Sequence, residues 1–183
     1  MATSTVVRAG LFALAIVALG FVPGASGADS PSAKGKGDFM SNGNVRTFTF
    51  HAIKHPNGNV TGKAKVRIRA TGTFVDMAID CLRFVAPNTV LVSGTISRSN
   101  VSNLVGQTGI FQAQDNGKGS DQADDSGKDS DEADDNGKGS DSPPDRLSLL
   151  FPFPADSTNC LSDLNLDVFA MFPLQHGHIK VRP

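Results

Sequence analysis

Between residues 46 and 114, apolar and polar positions alternate with a period of two. Over residues 46–54, Phe48, Phe50 and Ala52 share one face while Thr47, Thr49 and His51 share the other, the pattern of a half-buried strand. Pro56-Asn57-Gly58-Asn59 is a turn signal. Residues 60–70 read as the next strand, with Ala64, Val66 and Ile68 on one side and Lys63, Lys65, Arg67 and Arg69 on the other. A three-residue turn over 57–59 would set Phe50 against Val66 and Phe48 against Ile68, apolar on apolar. After Thr71-Gly72 a long strand runs over 73–86, with a bulge or bend near Asp80-Cys81, where the apolar parity shifts. Pro87-Asn88 turns the chain, and 89–97 alternates again with Val90, Val92 and Ile96 inward. Residues 99–102 are turn-like and 104–114 give another strand. Farther on, 146–153 reads as a strand broken by Pro152 and Pro154, 155–166 as a loop around Cys160, 167–174 as a short strand, and 178–182 as the last, with Ile179 and Val181 inward.

No window after the first 27 residues carries a long 3.6-residue apolar period. Short strands joined by short turns predict an all-β domain, an antiparallel meander of seven to eight strands forming a small barrel or a two-sheet sandwich. Residues 28–44, rich in Ser, Gly and Lys, read as a flexible linker ahead of a single β domain over 45–183. That domain is interrupted at 115–144 by three tandem copies of an acidic ten-residue unit, beginning at Asp115, Asp125 and Asp135. The copies contain no apolar residue larger than Ala and cannot bury a core, so a long disordered acidic loop is expected there.

Composition adds a compartment. Arg8, an apolar run over 9–22, the break at Pro23-Gly24 and the small residues Ala25-Ser26-Gly27 together read as a signal peptide over 1–27. No later segment is apolar enough for a membrane-spanning helix. The expected location is secreted or extracellular, periplasmic or at the cell surface in a bacterial host. There are two cysteines, Cys81 and Cys160, and in a secreted chain the default is one disulfide between them.

The formal charge of −1 conceals a division. Residues 115–145 hold eleven acids and three lysines, a balance of −8, whereas the rest of the chain after residue 27 holds thirteen Lys and Arg and seven acids, a balance of +6. The stripe Lys63, Lys65, Arg67 and Arg69, with a second at His178, Lys180 and Arg182, is the candidate site for an anionic cell-surface polymer or lipid. No aromatic residue interleaves with either stripe along its strand, so stacking on nucleic-acid bases has no support. The acidic loop could fold over the basic domain and compete with such partners.

Two alternatives rest on cations. Asp115, Asp121, Asp125, Asp131, Asp135 and Asp141 supply the oxygen ligands that calcium takes, although Gly stands third in every copy, and fifth in the first and third, where an EF-hand loop needs acids. His51 and His55, with His176 and His178, give two His pairs with the spacing of a zinc site, and hence of a metal-dependent hydrolase. No nucleophile elbow, phosphate-cradling glycine loop or Cys–His pair is present. The leading reading is therefore a binding or envelope-associated module without catalytic activity or cofactor.

Several short signatures recur in order: Phe48-Thr-Phe50, Val60-Thr-Gly62, Ile79-Asp-Cys-Leu82, Val92-Ser-Gly-Thr-Ile96, Asp135-Asn-Gly-Lys-Gly-Ser140, Pro143-Pro-Asp145 and His176-Gly-His-Ile-Lys-Val181. In these the chain resembles an uncharacterised group of small secreted bacterial β-domain proteins over most of residues 46–183. In that pattern the Asp-Asn-Gly loop occurs once and runs directly into Pro-Pro-Asp. The resemblance implies a secreted all-β domain and no particular chemistry.

Overall fold

A computed structural model describes residues 30–117, 143–155 and 158–183. The signal peptide read over 1–27 and the repeat read as a disordered loop, apart from its ends, lie outside the described residues. The strands are β1 (Ser32–Ser41), β2 (Asn44–Lys54), β3 (Val60–Ile68), β4 (Thr73–Ala86), β5 (Thr89–Ser99), β6 (Thr108–Gln114), β7 (Arg146–Ser148), β8 (Phe151–Phe153) and β9 (Met171–Arg182). A 3-10 turn, Leu166–Val168, precedes β9. All pairings are antiparallel, in the order β5-β4-β3-β2-β1-β9-β7-β6-β8, and β5 also pairs with β6. That last pairing joins the two ends of the sheet, so eight strands close a barrel, and β8 pairs with the first half of β6 on the edge that β7 takes farther along. Of the two architectures open from the sequence, the molecule is the barrel.

The core lies inside. Phe39, Phe48, Phe50, Met77, Ile79, Val90, Val92, Phe111 and Ile179 are all buried there. The rings form a chain of contacts: Phe172 to Phe39 at 5.8 Å, Phe39 to Phe48 at 6.1 Å, Phe48 to Phe50 at 6.2 Å, and Phe50 edge-on to Phe111 at 5.2 Å. Edge-to-face and offset rings fill an eight-stranded interior without a polar handle, which suits a chain with no Trp or Tyr.

Three expectations are corrected. Residues 28–44 are not a flexible linker: from Ser32 to Ser41 they form β1, paired on both edges. Its inward positions Ala33, Gly35 and Gly37 are small: Phe50, Ile179 and Phe48 occupy the space beneath Gly35, and at Gly37 a Cβ would meet the backbone of His176 and Gly177. A Cβ on Gly35 would stand 2.6 Å from Phe50 and 2.9 Å from Ile179. Gly35→Val is therefore expected to overpack the barrel and lower stability by about 1–3 kcal/mol, read as a shifted urea midpoint. Second, the β2–β3 register differs by two residues. Phe48 faces Val66 and Phe50 faces Ala64, because the connection is the five residues 55–59, closed by the His55 N–H donating to the Asn59 carbonyl at 2.8 Å. An even shift leaves every side chain on its assigned face. Third, the two last predicted strands are one, β9. The bulge read near Asp80-Cys81 is present as a register shift between Ile79 and Cys81.

A second, smaller core sits outside the barrel wall. Leu91 and Ile110, whose side chains point away from the interior, are covered by Phe169, Cys81 and Cys160, with Phe151, Phe153 and Leu166 around them. The Cys81–Cys160 disulfide, with Cα atoms 5.9 Å apart, ties this excursion down. The Cys160 N–H also donates to Ser93 Oγ at 2.9 Å. β5 is therefore buried on both faces from Thr89 to Gly94. No helix among the described residues is long and apolar enough to cross a membrane.

Candidate anion-binding face

Register, rather than sequence spacing, assembles the basic surface. His51 on β2 pairs with Lys34 on β1 and Lys63 on β3, and Lys34 pairs with Lys180 on β9. Lys180, Lys34, His51 and Lys63 thus stand side by side across four strands on the outer face, all exposed. Two residues along each strand, His178, Lys36, Thr49 and Lys65 form a parallel row. β1 is the element that joins the two stripes read in the sequence. Its Lys34 and Lys36 are the site residues that sequence reasoning missed, and the Asn42-Gly43 pair was the available signal. Both residues take positive φ, 50° and 73°, in a two-residue hairpin turn that announces a strand before it.

Neighbours within a row lie about 5 Å apart. That is inside the screening length of about 8 Å at physiological salt, so their potentials add. Lys34 opposite Lys180 is a like-charge pair that costs stability in the unbound protein. Beyond this pair, toward the chain ends, a shallow groove of about 440 Å³ is lined by Lys34, His51, His55, Lys180 and Arg182, with the hydroxyls of Ser30 and Ser32. Ammonium, imidazole, guanidinium and hydroxyl groups here offer hydrogen-bond donors; among the described residues no carboxylate borders the groove.

The four residues of the first stripe do not share one fate. Lys63 and Lys65 belong to the rows. The guanidinium of Arg67 lies 5.4 Å from the centre of the Phe74 ring, which Arg98 approaches at 5.9 Å. An aromatic ring does therefore sit beside the stripe, supplied across the sheet rather than along the strand. Arg69 lies past the end of β3. Its Nη2 donates to Asp38 Oδ2 at 2.9 Å and its Nε to Thr47 Oγ1 at 3.3 Å. It is an exposed structural pair of small energetic weight and not a free cation of the face.

Comparison with family models, with curated proteins and with solved structures found no match.

Of the proposed calcium ligands, Asp121, Asp125, Asp131, Asp135 and Asp141 lie outside the described residues. Asp115 is described, and both its oxygens are engaged: Oδ1 accepts from the Gly117 N–H at 2.9 Å and Oδ2 from the Val181 N–H at 3.0 Å. Among the described residues no group of three or more His, Cys, Asp or Glu stands together as a metal site. His51 and His178 are members of the basic rows, and His55 Nε2 is 2.7 Å from Thr61 Oγ1.

The residues around Asp115 form a clamp that the sequence showed only as turn signatures. Beyond its three pairs with β7, the edge of β9 facing away from β1 has no strand partner among the described residues. Asp145 and Asp115 take that place. Buried Asp145 accepts from the Asn116 N–H at 2.8 Å and from the Ile179 N–H at 2.6 Å, and its carbonyl accepts from the Leu174 N–H at 2.8 Å. Asn116 Nδ2 donates to the Pro144 carbonyl at 2.7 Å. The first Asp-Asn-Gly and the final Pro-Pro-Asp are thus held to each other and to β9, and the additional copies are inserted beyond them.

Proposed function

We propose that this protein is a secreted, non-catalytic binding module whose β9-β1-β2-β3 face takes an anionic cell-surface polymer. The observation that supports the reading is the row Lys180, Lys34, His51 and Lys63 across four paired strands. Such a row repels itself in the free protein and is neutralised by a chain of sulfates, phosphates or carboxylates laid across it. A polymer is favoured over a lipid surface because the large apolar residues exposed among the described ones are Met40, Val101, Val105, Leu161 and Val168, none of which lines the groove. Secretion is supported by the signal-peptide pattern and by a disulfide of the kind kept in oxidising compartments.

The test is retention on heparin and on vesicles containing phosphatidylglycerol, as a function of salt. In the variant Lys34→Gln/Lys63→Gln/Lys180→Gln, heparin affinity at low salt is expected to fall at least about tenfold, with the salt slope reduced by about one per lysine removed. Thermal stability should hold or rise, since like-charge neighbours are gone. Unchanged heparin affinity defeats the reading; vesicle binding that exceeds heparin binding moves it to a lipid. Asp115 bonds to Val181, between Lys180 and Arg182, so the acidic stretch is attached beside this groove. Deleting residues 118–137, two full periods, leaves the clamp residues in place. Heparin affinity that rises at low salt in that variant supports competition by the acidic stretch.

A further inference from the structure

The barrel interior holds a polar group that its packing does not use. Arg46 lies on β2 in phase with Phe48, Phe50 and Ala52, and its pair partners are Phe39 on β1 and Ile68 on β3. It therefore stands on the inward face, at the end of the barrel opposite the acidic insertion. Its Nε is shielded from solvent and has no hydrogen-bond partner among the described residues. Neither of the two ion pairs among the described residues, Arg69–Asp38 and Arg98–Asp76, involves it. At the same end and on the same face, the buried Ser41 Oγ also has no partner.

Arg46 borders a cavity of about 160 Å³ walled by Phe39, Phe48, Phe50, Val66, Phe111 and Leu150. An eight-stranded barrel has room either for its own side chains or for one small ligand, and a void of about 150 Å³ accepts a benzene-sized body. A partly buried guanidinium without a carboxylate costs stability that an aliphatic side chain would not. Burial lowers its pKa from the ordinary arginine value, yet arginine remains charged in proteins and presents a fork that matches a carboxylate with two parallel hydrogen bonds.

We infer that the barrel mouth is a binding site for a small amphipathic carboxylate, with an apolar body near the size of a benzene ring seated among the Phe side chains and its carboxylate held by Arg46. The site shares Thr49 and Lys65 with the second row of the outer face and no residue with the row Lys180, Lys34, His51 and Lys63. The chemistry selects a carboxylate joined to a compact hydrocarbon, since the cavity walls are mostly apolar and its cations are Arg46, on the inward face, and the exposed Lys65.

Titration calorimetry on the full chain with phenylacetate and hexanoate, and with the neutral phenylacetamide, tests this. At least one carboxylate is expected to bind, with phenylacetamide weaker by between about tenfold and a hundredfold. Arg46→Met should weaken the carboxylate by a similar factor while the variant melts no lower than the parent. Arg46→Lys, which keeps the charge and loses the fork, should fall between them, and it serves if the Met variant does not fold. Lys34→Gln/Lys180→Gln should leave carboxylate affinity unchanged. Binding of neither carboxylate at millimolar concentration, equal affinity for acid and amide, or affinity that follows Lys34 and Lys180 would each overturn the inference.

Discussion

Replacing Asp145 with Ala is expected to cost about 3–5 kcal/mol of folding stability, a large share of the 5–15 kcal/mol typical of a domain. The carboxylate is 1% exposed and serves as acceptor for two backbone N–H groups, those of Asn116 and Ile179. Hydrogen bonds to a charged group contribute about 1.5–3 kcal/mol each, and an orphaned buried donor bears its full desolvation penalty. Asp145→Ala orphans both donors where β9 has no strand among the described residues to replace them. Asp145→Asn retains one acceptor and sets an amide N–H against the other donor, so it should fall between the parent and the Ala variant. Urea unfolding with an unchanged m-value measures the effect. In the same variant, amide exchange at Ile179 should accelerate more than in β3 and β4, because the opening starts at the β9 edge. A loss below about 1 kcal/mol would show that water replaces the carboxylate and that the clamp is not a closure device.

Removing the disulfide has an effect of the same order through a different mechanism. Cys81 and Cys160 are 79 residues apart, and a crosslink over that length restricts the unfolded chain by about 4.5 kcal/mol in the chain-entropy account. Cys81→Ser/Cys160→Ser should approach that loss in reversible unfolding at 25 °C. The damage should also be placed on one side of the molecule. The small outer core of Leu91, Ile110 and Phe169 is held by that bond, whereas the barrel interior is held by its own Phe contacts. Exchange of the Cys160 position, whose N–H donates to Ser93 Oγ, should therefore accelerate first, with the inward strands β2 and β3 retaining protection. Uniform loss of protection would mean that the two cores unfold as one unit.

These cases show what kind of information was legible. β2 to β5 were readable because each strand carries large apolar residues on one parity, and that parity survives a register shift of two. β1 was hidden because two of its inward positions are glycine, Gly35 over Phe50 and Ile179 and Gly37 against the backbone of His176; a strand that yields space to its neighbours loses its own hydrophobic signal. The lysines of β1 shared that fate, so two separate stripes were seen where the molecule has one face. Arg46 carries no signal in the sequence because an arginine at the start of a strand is ordinary, and only closure of the sheet into a barrel makes its inward parity consequential. Asp145 read as the end of a Pro-Pro-Asp turn because burial of a carboxylate depends on which backbone donors stand opposite, here residues 29 and 34 positions away.

By itself, then, the amino-acid sequence determined the all-β class, the faces of most strands, the partition of charge and the pairing of the two cysteines, since each depends on local periodicity or on simple counting. Only the tertiary structure decided that the sheet closes as a barrel, that four strands align their cations into rows, that one arginine faces the interior, and that two aspartates complete the wall beside β9. Those depend on contacts between residues far apart in the chain, where register and closure set which groups meet, and neither register nor closure is carried by any single segment.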